Sequence, residues 1–483
     1  MKEKTKAVLD IFEKISSIPR QSKNEQEIRR WLLGWAEERG YPNRTDGAGN
    51  LIVEVPASPG RESAPTVVLQ GHMDMVCEKR PGVEHDFSRD PVPLVYEGDW
   101  LHAEGTTLGA DNGIGIALAM HLAEDPEVTH PPLELLFTVD EETGLTGALG
   151  LGENVLRGRM LLNLDSEEDG KLTVGCAGGR NSVIELPVAR EASSALRTLE
   201  ITVGGLSGGH SGVDIRRNLG NANIILARAL EAASAAGPVR LEAQSGGSAH
   251  NAIPRDAQAT IAVPEDAVEA IRGRLAELEQ TVQVEQRRED PHLYLAVETV
   301  QPSETSGVAQ PLTEETSRRV VDLLLTLPHG VFRMSDDIDG LVETSANLAT
   351  VSLEQEQLRV LVSERSSVPS QLDAESAKIN AAVRLAEGTV RYENEYPSWT
   401  PNLESPLLAR TREVYARVTG EEPRVEVIHA GLEAGVIGAK HEGMEMISVG
   451  PTVEGAHSPD ERLHVPSVGR VRDVLAELLR SLG

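Results

Sequence analysis

The 483-residue sequence predicts an α/β fold in which a mainly parallel sheet flanked by helices is interrupted by an inserted α+β domain. Strand-like and helical segments alternate over the first 165 residues, which is typical of a mainly parallel sheet covered by helices. The pattern changes near Pro187 to alternating strands with intervening helices, and the first pattern returns after Tyr396. We therefore expect one domain from residues 1–187 and 395–483 and a second from residues 188–394.

The elements of the first domain follow from the spacing of apolar residues. Residues 5–39 contain apolar residues at helical spacing, and Pro19 divides this segment into two predicted helices. Continuous apolar runs predict buried strands. The strands are expected at 50–55, 66–70, 133–139, 160–164 and 446–449, and further helices at 113–123, 406–418 and 468–482.

The inserted domain is predicted to contain two similar halves. A strand–helix–strand–helix pattern between residues 200 and 282 is followed by a second one between residues 293 and 390. The expected elements are strands at 200–203 and 257–263 with helices at 221–236 and 268–282, then strands at 294–299 and 358–363 with helices at 315–327 and 371–387.

Charge and composition exclude several classes of partner. The chain has 46 Lys and Arg against 76 Asp and Glu, a formal net charge of −30. Nucleic acids and anionic membranes bind basic patches, so neither is an expected partner. No apolar run reaches the roughly 18 residues of a membrane span. With two cysteines and no pattern of a signal peptide at the start, we expect a soluble cytoplasmic protein.

Five metal-type side chains follow predicted strands or begin a predicted helix. Loops at the carboxyl ends of neighbouring parallel strands lie at one edge of a sheet, so residues distant in sequence can meet there. The five are His72, Asp111, Glu142, Asp165 and His457.

Two imidazoles and three carboxylates suit two divalent cations, most of all Zn²⁺, with Mn²⁺ or Co²⁺ as alternatives. A pair of ions needs a bridging carboxylate and a bridging water, and we assign the bridge to Asp111. His72 and Asp165 would complete one ion, and Glu142 and His457 the other. Two divalent ions, three carboxylates and one hydroxide give a neutral site, which avoids the cost of burying unpaired charge.

Two neighbouring acids have expected supporting roles. Glu141, beside Glu142, can act as general base on the bridging water. Asp74 can accept a hydrogen bond from the second ring nitrogen of His72. Each residue also has a structural interpretation when taken singly: a surface or hydrogen-bonded histidine, a solvated Glu–Glu pair, a helix cap at Asp111 or a strand-end cap at Asp165. The coincidence of all five favours the metal site.

Long motifs resemble the co-catalytic zinc peptidase superfamily and, within it, the bacterial aminoacyl-histidine dipeptidases. The resemblance runs from near residue 5 to the end of the chain. The motifs are LQGHMDMVCEK at 69–79, GADNG at 109–113, TVDEETG at 138–144, GGHSG at 208–212, NAIPR at 251–255, RMSDD at 333–337 and HSPDE at 457–461.

The resemblance implies a catalytic domain formed by both ends of the chain and a lid domain formed by the insert. It also implies that His210 stabilises the oxyanion, that Asn251 contacts substrate, and that Arg365 binds the terminal carboxylate of the substrate. We further expect Glu433 in a substrate-binding loop. Without the resemblance, His210 could simply shape a turn and Arg365 could pair with Glu364 at the surface.

The implied activity is metal-dependent hydrolysis of dipeptides, chiefly Xaa-His including β-Ala-His, with broader tolerance. In this superfamily the metal-binding acid at the position of Asp165 is Asp in members that need a free N-terminal amine and Glu in carboxypeptidase-like members. The Asp found here therefore favours a dipeptidase. A deacylase, a tripeptidase and a non-catalytic peptide-binding protein are the alternatives. Relatives with a lid of half this size borrow the lid histidine from a dimer partner. Because the insert has two halves, we expect His210 to act within its own chain, and a homodimer through the lid is a candidate assembly.

Overall fold

The computed structural model of the protein describes residues 2–153, 155–192, 196–300, 310–336 and 338–482. The chain forms two compact units. The first unit consists of Met1–Cys176, Trp399–Val427 and Leu432–Gly483, and the second consists of Ala177–Ser398 and Ile428–Gly431.

Each predicted helix corresponds to a helix among the described residues, with bounds that differ by a few residues. They are α1 (Glu3–Ser16), α2 (Gln26–Glu38), α3 (Ala110–Glu124), α4 (Thr146–Gly150), α5 (Ala222–Ala236), α6 (Val268–Gln286), α7 (Glu314–Thr326), α8 (Pro369–Leu385), α9 (Pro406–Thr419), α10 (Glu433–Lys440) and α11 (Val465–Leu482).

The strands outnumber those predicted. They are β1 (Asn43–Thr45), β2 (Leu51–Val55), β3 (Val67–His72), β4 (Leu94–Glu97), β5 (Trp100–Ala103), β6 (Leu133–Thr138), β7 (Met160–Asn163), β8 (Lys171–Cys176), β9 (Gly178–Pro187), β10 (Leu196–Gly204), β11 (Gly209–His210), β12 (Arg240–Gly246), β13 (Ala252–Ile253), β14 (Ala257–Pro264), β15 (Tyr294–Val300), β16 (Gly330–Met334), β17 (Val342–Leu353), β18 (Gln357–Ser366), β19 (Thr389–Tyr396), β20 (Arg424–Ile428), β21 (Glu445–Ser448), β22 (Val453–Glu454) and β23 (Arg462–His464).

The first unit is built on an eight-stranded sheet in the order β1-β2-β6-β3-β7-β21-β8-β20. Its four central strands, β6, β3, β7 and β21, run parallel to one another. β2 joins one side of this centre and β8 the other, both antiparallel. Every residue of β3 and β6 is buried, as expected of parallel strands covered on both faces. The predicted α/β class is confirmed.

The second unit is built on a sheet in the order β15-β10-β14-β12-β17-β18-β9-β19, with β16 paired to β17. All of its strand pairs are antiparallel. Its apolar core includes residues of α5, α6 and α7 that pack on strands of the sheet. The predicted α+β character of the insert is confirmed.

The two similar halves of the second unit are arranged differently from the prediction. One half is β10-α5-β12-β14-α6-β15, and the other is β9-α7-β17-β18-α8-β19; they meet where β12 pairs with β17. The strand at Tyr294–Val300, predicted to begin the second half, instead pairs with β10 and completes the first. The second half begins with β9, whose residues 178–187 the sequence had assigned to the first domain; β9 pairs with β18 and β19.

None of the helices in the described residues combines the length and the apolar character that crossing a membrane requires.

Candidate metal centre

The parallel centre of the first sheet brings the candidate ligands together. β3 ends at His72, β6 is followed by Glu141 and Glu142, and β7 is followed by Asp165. Because β3, β6 and β7 are parallel, these residues lie at the same edge of the sheet. His457 follows β21, a fourth parallel strand, by way of a longer loop.

Asp111 lies between the two histidines. Its Oδ1 is 2.9 Å from His72 Nε2, and its Oδ2 is 3.0 Å from His457 Nε2. Each carboxylate oxygen therefore faces a different imidazole. This is the arrangement that a carboxylate bridging two cations requires.

The remaining acids complete two groups that share Asp111. Asp165 Oδ1 is 3.3 Å from His72 Nε2, and Glu142 Oε2 is 3.0 Å from His457 Nε2. A tetrahedral shell with bonds of about 2.0–2.1 Å places its donor atoms about 3.3 Å apart, close to these spacings. Glu142 Oε1 is buried and has no hydrogen-bond partner among the described residues. The donor set and this unpaired oxygen fit a pair of divalent cations.

The electrostatics of the cluster point the same way. Burial by itself would lower the pKa of His72, but the carboxylates of Asp165 and Asp111 raise it well above its usual value. Hydrogen bonds to Asp111 and Glu142 raise the pKa of His457 to about 11. Burial raises the pKa of Asp165 to about 6, against the charge of His72. The raised pKa values of both imidazoles reflect an excess of carboxylate charge around them. Bound cations would neutralise that excess.

Asp74 is buried and contacts four neighbouring residues. Its Oδ1 lies 3.3 Å from His72 Nδ1, the contact expected from the sequence. Its carboxylate also accepts the backbone N–H groups of Glu141 (3.0 Å) and Glu142 (3.2 Å) and the hydroxyl of Ser22 (2.8 Å). Asp74 therefore orients one imidazole and both glutamates, a wider role than the sequence indicated.

Glu141 lies beside Glu142 and is grouped with it and His72. Burial raises the pKa of Glu141 well above its usual value; the charge of Glu142 adds to this effect, and that of His72 opposes it. A carboxylate with a raised pKa can take up and release a proton near neutral pH, as a general base must.

The structure contradicts two of the single-residue alternatives. The N-cap residue of α3 is Gly109, which has no side chain that could cap the helix, and the carboxylate of Asp111 contacts the two histidines. Glu142 is not part of a solvated pair, because its side chain is only 4% exposed.

Glu433 is not in a loop, which corrects the prediction for this residue. It is the first residue of α10 and is fully buried. Its Oε2 accepts hydrogen bonds from Gln70 Nε2 and Thr138 Oγ1, both at 2.6 Å, and burial raises its pKa to about 8. Glu433 thus joins β3 and β6 near their carboxyl ends, beside the segments that carry His72 and Glu141. The sequence gives no signal for this contact. Every residue of both strands is buried, so no alternation of apolar and polar positions marks Gln70 or Thr138 as polar contacts.

In the second unit, His210 and Asn251 line one cavity of about 780 Å³. β11, which ends at His210, pairs with β13, which begins one residue after Asn251. Ser211 N–H donates to the Asn251 carbonyl at 2.8 Å, so the two loops are tied together.

The backbone around His210 selects its tautomer. Nδ1 accepts the N–H groups of Gly212 (3.2 Å) and Val213 (3.1 Å), so it carries no proton. In the neutral ring the proton is then on Nε2, which makes Nε2 a donor. His210 therefore takes part in this turn, which is the structural alternative stated from the sequence, and the same contacts leave Nε2 as the donor of the neutral ring.

Arg365 is buried on β18, and its Nη1 donates to the hydroxyl of Tyr396 at 2.8 Å. The expected alternative of a surface pair with Glu364 is wrong. Glu364 is fully buried and accepts hydrogen bonds from Ser182 and Ser376. Neighbouring residues of a strand point to opposite faces, which separates the two side chains.

Comparison with known proteins gives consistent similarities. The chain matches Peptidase family M20/M25/M40 over residues 68–481. It is 40% identical over 474 residues to the cytosol non-specific dipeptidase of Escherichia coli (strain K12). The aligned residues cover 98% of this chain and 97% of the relative.

Solved structures are similar as well. Aminoacylhistidine dipeptidase from Vibrio alginolyticus superposes with a TM-score of 0.86 at 36% identity, over 98% of this chain and 96% of that one. Aminopeptidase PepT from Bacillus cereus has a TM-score of 0.57 at 16% identity, over 99% and 98% of the two chains. The second likeness is one of fold alone.

Proposed function

The chain belongs to peptidase family M20/M25/M40, and from this premise we propose that it is a metal-dependent dipeptidase acting on Xaa-His dipeptides, including β-Ala-His, and on other dipeptides. Membership confirms the predicted family and the hydrolase class. The observation that carries the proposal is the placement of Asp111 between His72 and His457. Extensive identity to a cytosol non-specific dipeptidase and a close structural likeness to an aminoacylhistidine dipeptidase support the substrate class.

We assign five residues to two divalent cations. His72 and Asp165 would hold one, Glu142 and His457 the other, and Asp111 both. Zn²⁺ is the first choice because the donors are imidazoles and carboxylates without a thiolate, and Mn²⁺ or Co²⁺ would fit the same set. When bound, such a pair polarises the peptide carbonyl and lowers the pKa of water.

The remaining steps belong to the chain's own residues. Glu141 takes a proton from the attacking water and passes it to the leaving amine. Asp74 holds the backbone of Glu141 and the ring of His72 in place. His210 donates from Nε2 to the oxyanion that forms at the substrate carbonyl.

Substrate recognition is assigned to the second unit. Arg365 binds the terminal carboxylate with its guanidinium fork, and Asn251 contacts the substrate backbone. We propose that the first unit is the catalytic domain and the second the lid. Glu433 has no direct substrate role in this proposal, because its carboxyl group is buried and bonded to Gln70 and Thr138.

The test is hydrolysis of Ala-His and β-Ala-His by protein stripped with a chelator and reloaded with Zn²⁺ or Mn²⁺. Glu141→Gln is assayed alongside, with Glu277→Gln as the matched control, since Glu277 is 70% exposed on α6. We expect activity that requires metal, a loss of about 10²–10⁴-fold in Glu141→Gln with metal still bound, and no change in the control.

A substrate panel separates the alternatives. Cleavage of N-acetyl-Ala-His in preference to Ala-His would indicate a deacylase, and cleavage of tripeptides in preference to dipeptides a tripeptidase. Metal binding without cleavage of any member of the panel would contradict the catalytic proposal and favour peptide binding.

We further propose that His210 acts within its own chain and that any homodimer forms through the lid. The two halves of the second unit support this, since one could replace the lid of a partner. Mixing His210→Ala with Glu141→Ala protein under exchanging conditions should restore no activity. Recovery of activity in the mixture would show that His210 serves the partner.

A further inference from the structure

Glu461 is a buried carboxylate that accepts hydrogen bonds from backbone N–H groups near the proposed metal centre. Its Oε2 accepts the N–H groups of Leu108 (2.7 Å) and Gly109 (2.9 Å), and its Oε1 accepts those of Ala110 (2.7 Å) and Asp111 (3.3 Å). The side chain is 2% exposed. One carboxylate thus receives four successive peptide N–H groups that end at the bridging residue.

Arg20 holds the same segment from its carbonyl side. Its side chain is 1% exposed. Nη2 donates to the carbonyl of Gly109, and Nη1 donates to the carbonyls of Met73 (3.1 Å) and Asp74 (2.7 Å). Arg20 therefore links the end of β3 and the residues that follow it, which carry His72 and Asp74, to the segment that carries Asp111.

Two glycines make room for this guanidinium. A Cβ atom at Gly109 would lie 2.5 Å from Arg20 Nη2, and one at Gly113 would lie 2.8 Å from it. Gly109 also has φ +70°, which glycine adopts without strain. The GADNG motif therefore accommodates Arg20 as well as presenting Asp111.

We propose that Arg20 and Glu461 are positioning residues that fix the Asp111 carboxylate by holding residues 108–111 from opposite sides. Neither residue supplies a donor atom to the two groups of proposed ligands. Glu461 lies four residues after His457, so it also ties the loop of that ligand to the segment carrying Asp111. The inference rests on the proposed function, because it assumes that Asp111 bridges two cations.

The alternative is that Glu461 merely caps α3, since carboxylates stabilise helix N-termini. A cap would affect the stability of the fold and leave the affinity for cations unchanged. A positioning role would change the affinity of folded protein for both cations, because both share Asp111. Metal binding therefore separates the two roles, and it does so without any substrate.

The experiment is titration of metal-free protein with Zn²⁺ against a chromophoric chelator, for wild type, Glu461→Gln and Arg20→Lys. Glutamine keeps the size of Glu461, but its amide nitrogen cannot accept N–H groups; lysine keeps the charge of Arg20 but cannot span three carbonyls. Asp460→Asn is the control, because Asp460 is 75% exposed and pairs with Arg80 at the surface.

We expect a loss of about 10–100-fold in affinity for the cation pair in both variants, with near-UV circular dichroism unchanged and the control equal to wild type. In fully loaded protein we expect a lower kcat with a similar KM for Ala-His. Wild-type affinity in folded Glu461→Gln and Arg20→Lys would overturn the proposal. Failure of both variants to fold would also overturn it, by assigning the two charges to the stability of the unit.

The two proposals fail in distinguishable ways. Wild-type protein that binds two Zn²⁺ ions but cleaves no peptide would contradict the proposed function and leave this inference intact. Wild-type protein that cleaves dipeptides while both variants bind Zn²⁺ normally would contradict only this inference.

Discussion

The carboxylate of Asp74 accepts the backbone N–H of Glu141 at 3.0 Å. This bond joins the segment following β3 to the loop following β6. The same carboxylate lies against His72 Nδ1, so one side chain orients both a proposed ligand and the proposed general base.

Asp74→Asn should therefore impair catalysis without unfolding the protein. The amide keeps one acceptor oxygen, but its NH₂ group cannot accept an N–H from Glu141 or Glu142. We expect a decrease of about 10–100-fold in kcat and weaker Zn²⁺ binding, measured by steady-state kinetics and metal titration. Asp10→Asn, at an exposed position paired with Lys6, should behave as wild type. Full activity of Asp74→Asn would contradict the role of this bond.

Substitution of His210 should lower kcat more than it raises KM. If Nε2–H stabilises the oxyanion, His210→Ala should lose about 10²–10³-fold in kcat. His210→Gln should recover part of that loss, since the glutamine amide can reach the position of Nε2. His292→Ala, at an exposed position, is the control. Equal activity of the Ala and Gln variants would argue against donation from Nε2.

Arg365 should determine the preference for a free terminal carboxylate. Arg365→Lys should reduce kcat/KM about 10–100-fold for Ala-His but hardly change it for Ala-His amide, which lacks the carboxylate. Tyr396→Phe removes the 2.8 Å contact to Nη1 and should give a smaller loss. Arg359→Lys, half-exposed on the same strand, is the control. A parallel loss on both substrates would assign Arg365 to folding.

His429 should make the metal-free protein sensitive to acid. Burial, with the nearby charges of Arg365 and His210, lowers the pKa of His429 to about 3. Between that pH and about 6.5 the unfolded chain binds a proton that the folded chain does not, so the stability due to this group falls as the pH falls. The contribution is at most about 5 kcal/mol, because each tenfold difference in proton affinity between the folded and unfolded chains corresponds to about 1.4 kcal/mol.

The measurement is the midpoint of urea unfolding of metal-free protein between pH 3 and 7. His429→Gln should show a weaker dependence on pH than wild type, and the exposed His292→Gln should match wild type. Identical pH dependence in His429→Gln and wild type would show that the buried imidazole takes up protons without cost to the fold.

Much of the first unit could be predicted from apolar patterning. The runs at 66–70, 133–139 and 160–164 are strands β3, β6 and β7, and each is followed by the side chains on which the metal hypothesis rests.

In the second unit, the sequence does not predict β17, because small polar residues such as Ser345 and Asn347 interrupt its apolar pattern, although both are buried. Their polar groups are satisfied inside the unit by His429 and by the carbonyl of Ala252.

The sequence by itself determined the family, the α/β class and the chemistry of the candidate ligands, since these depend on residue type and local spacing. Only the tertiary structure decided that β9 and β15 belong to opposite halves of the second sheet, because strand pairing is made between distant segments. It also decided that the two oxygens of Asp111 face different histidines and that Arg20 and Glu461 hold the same loop. Such contacts join residues up to 353 positions apart, and no local pattern records them.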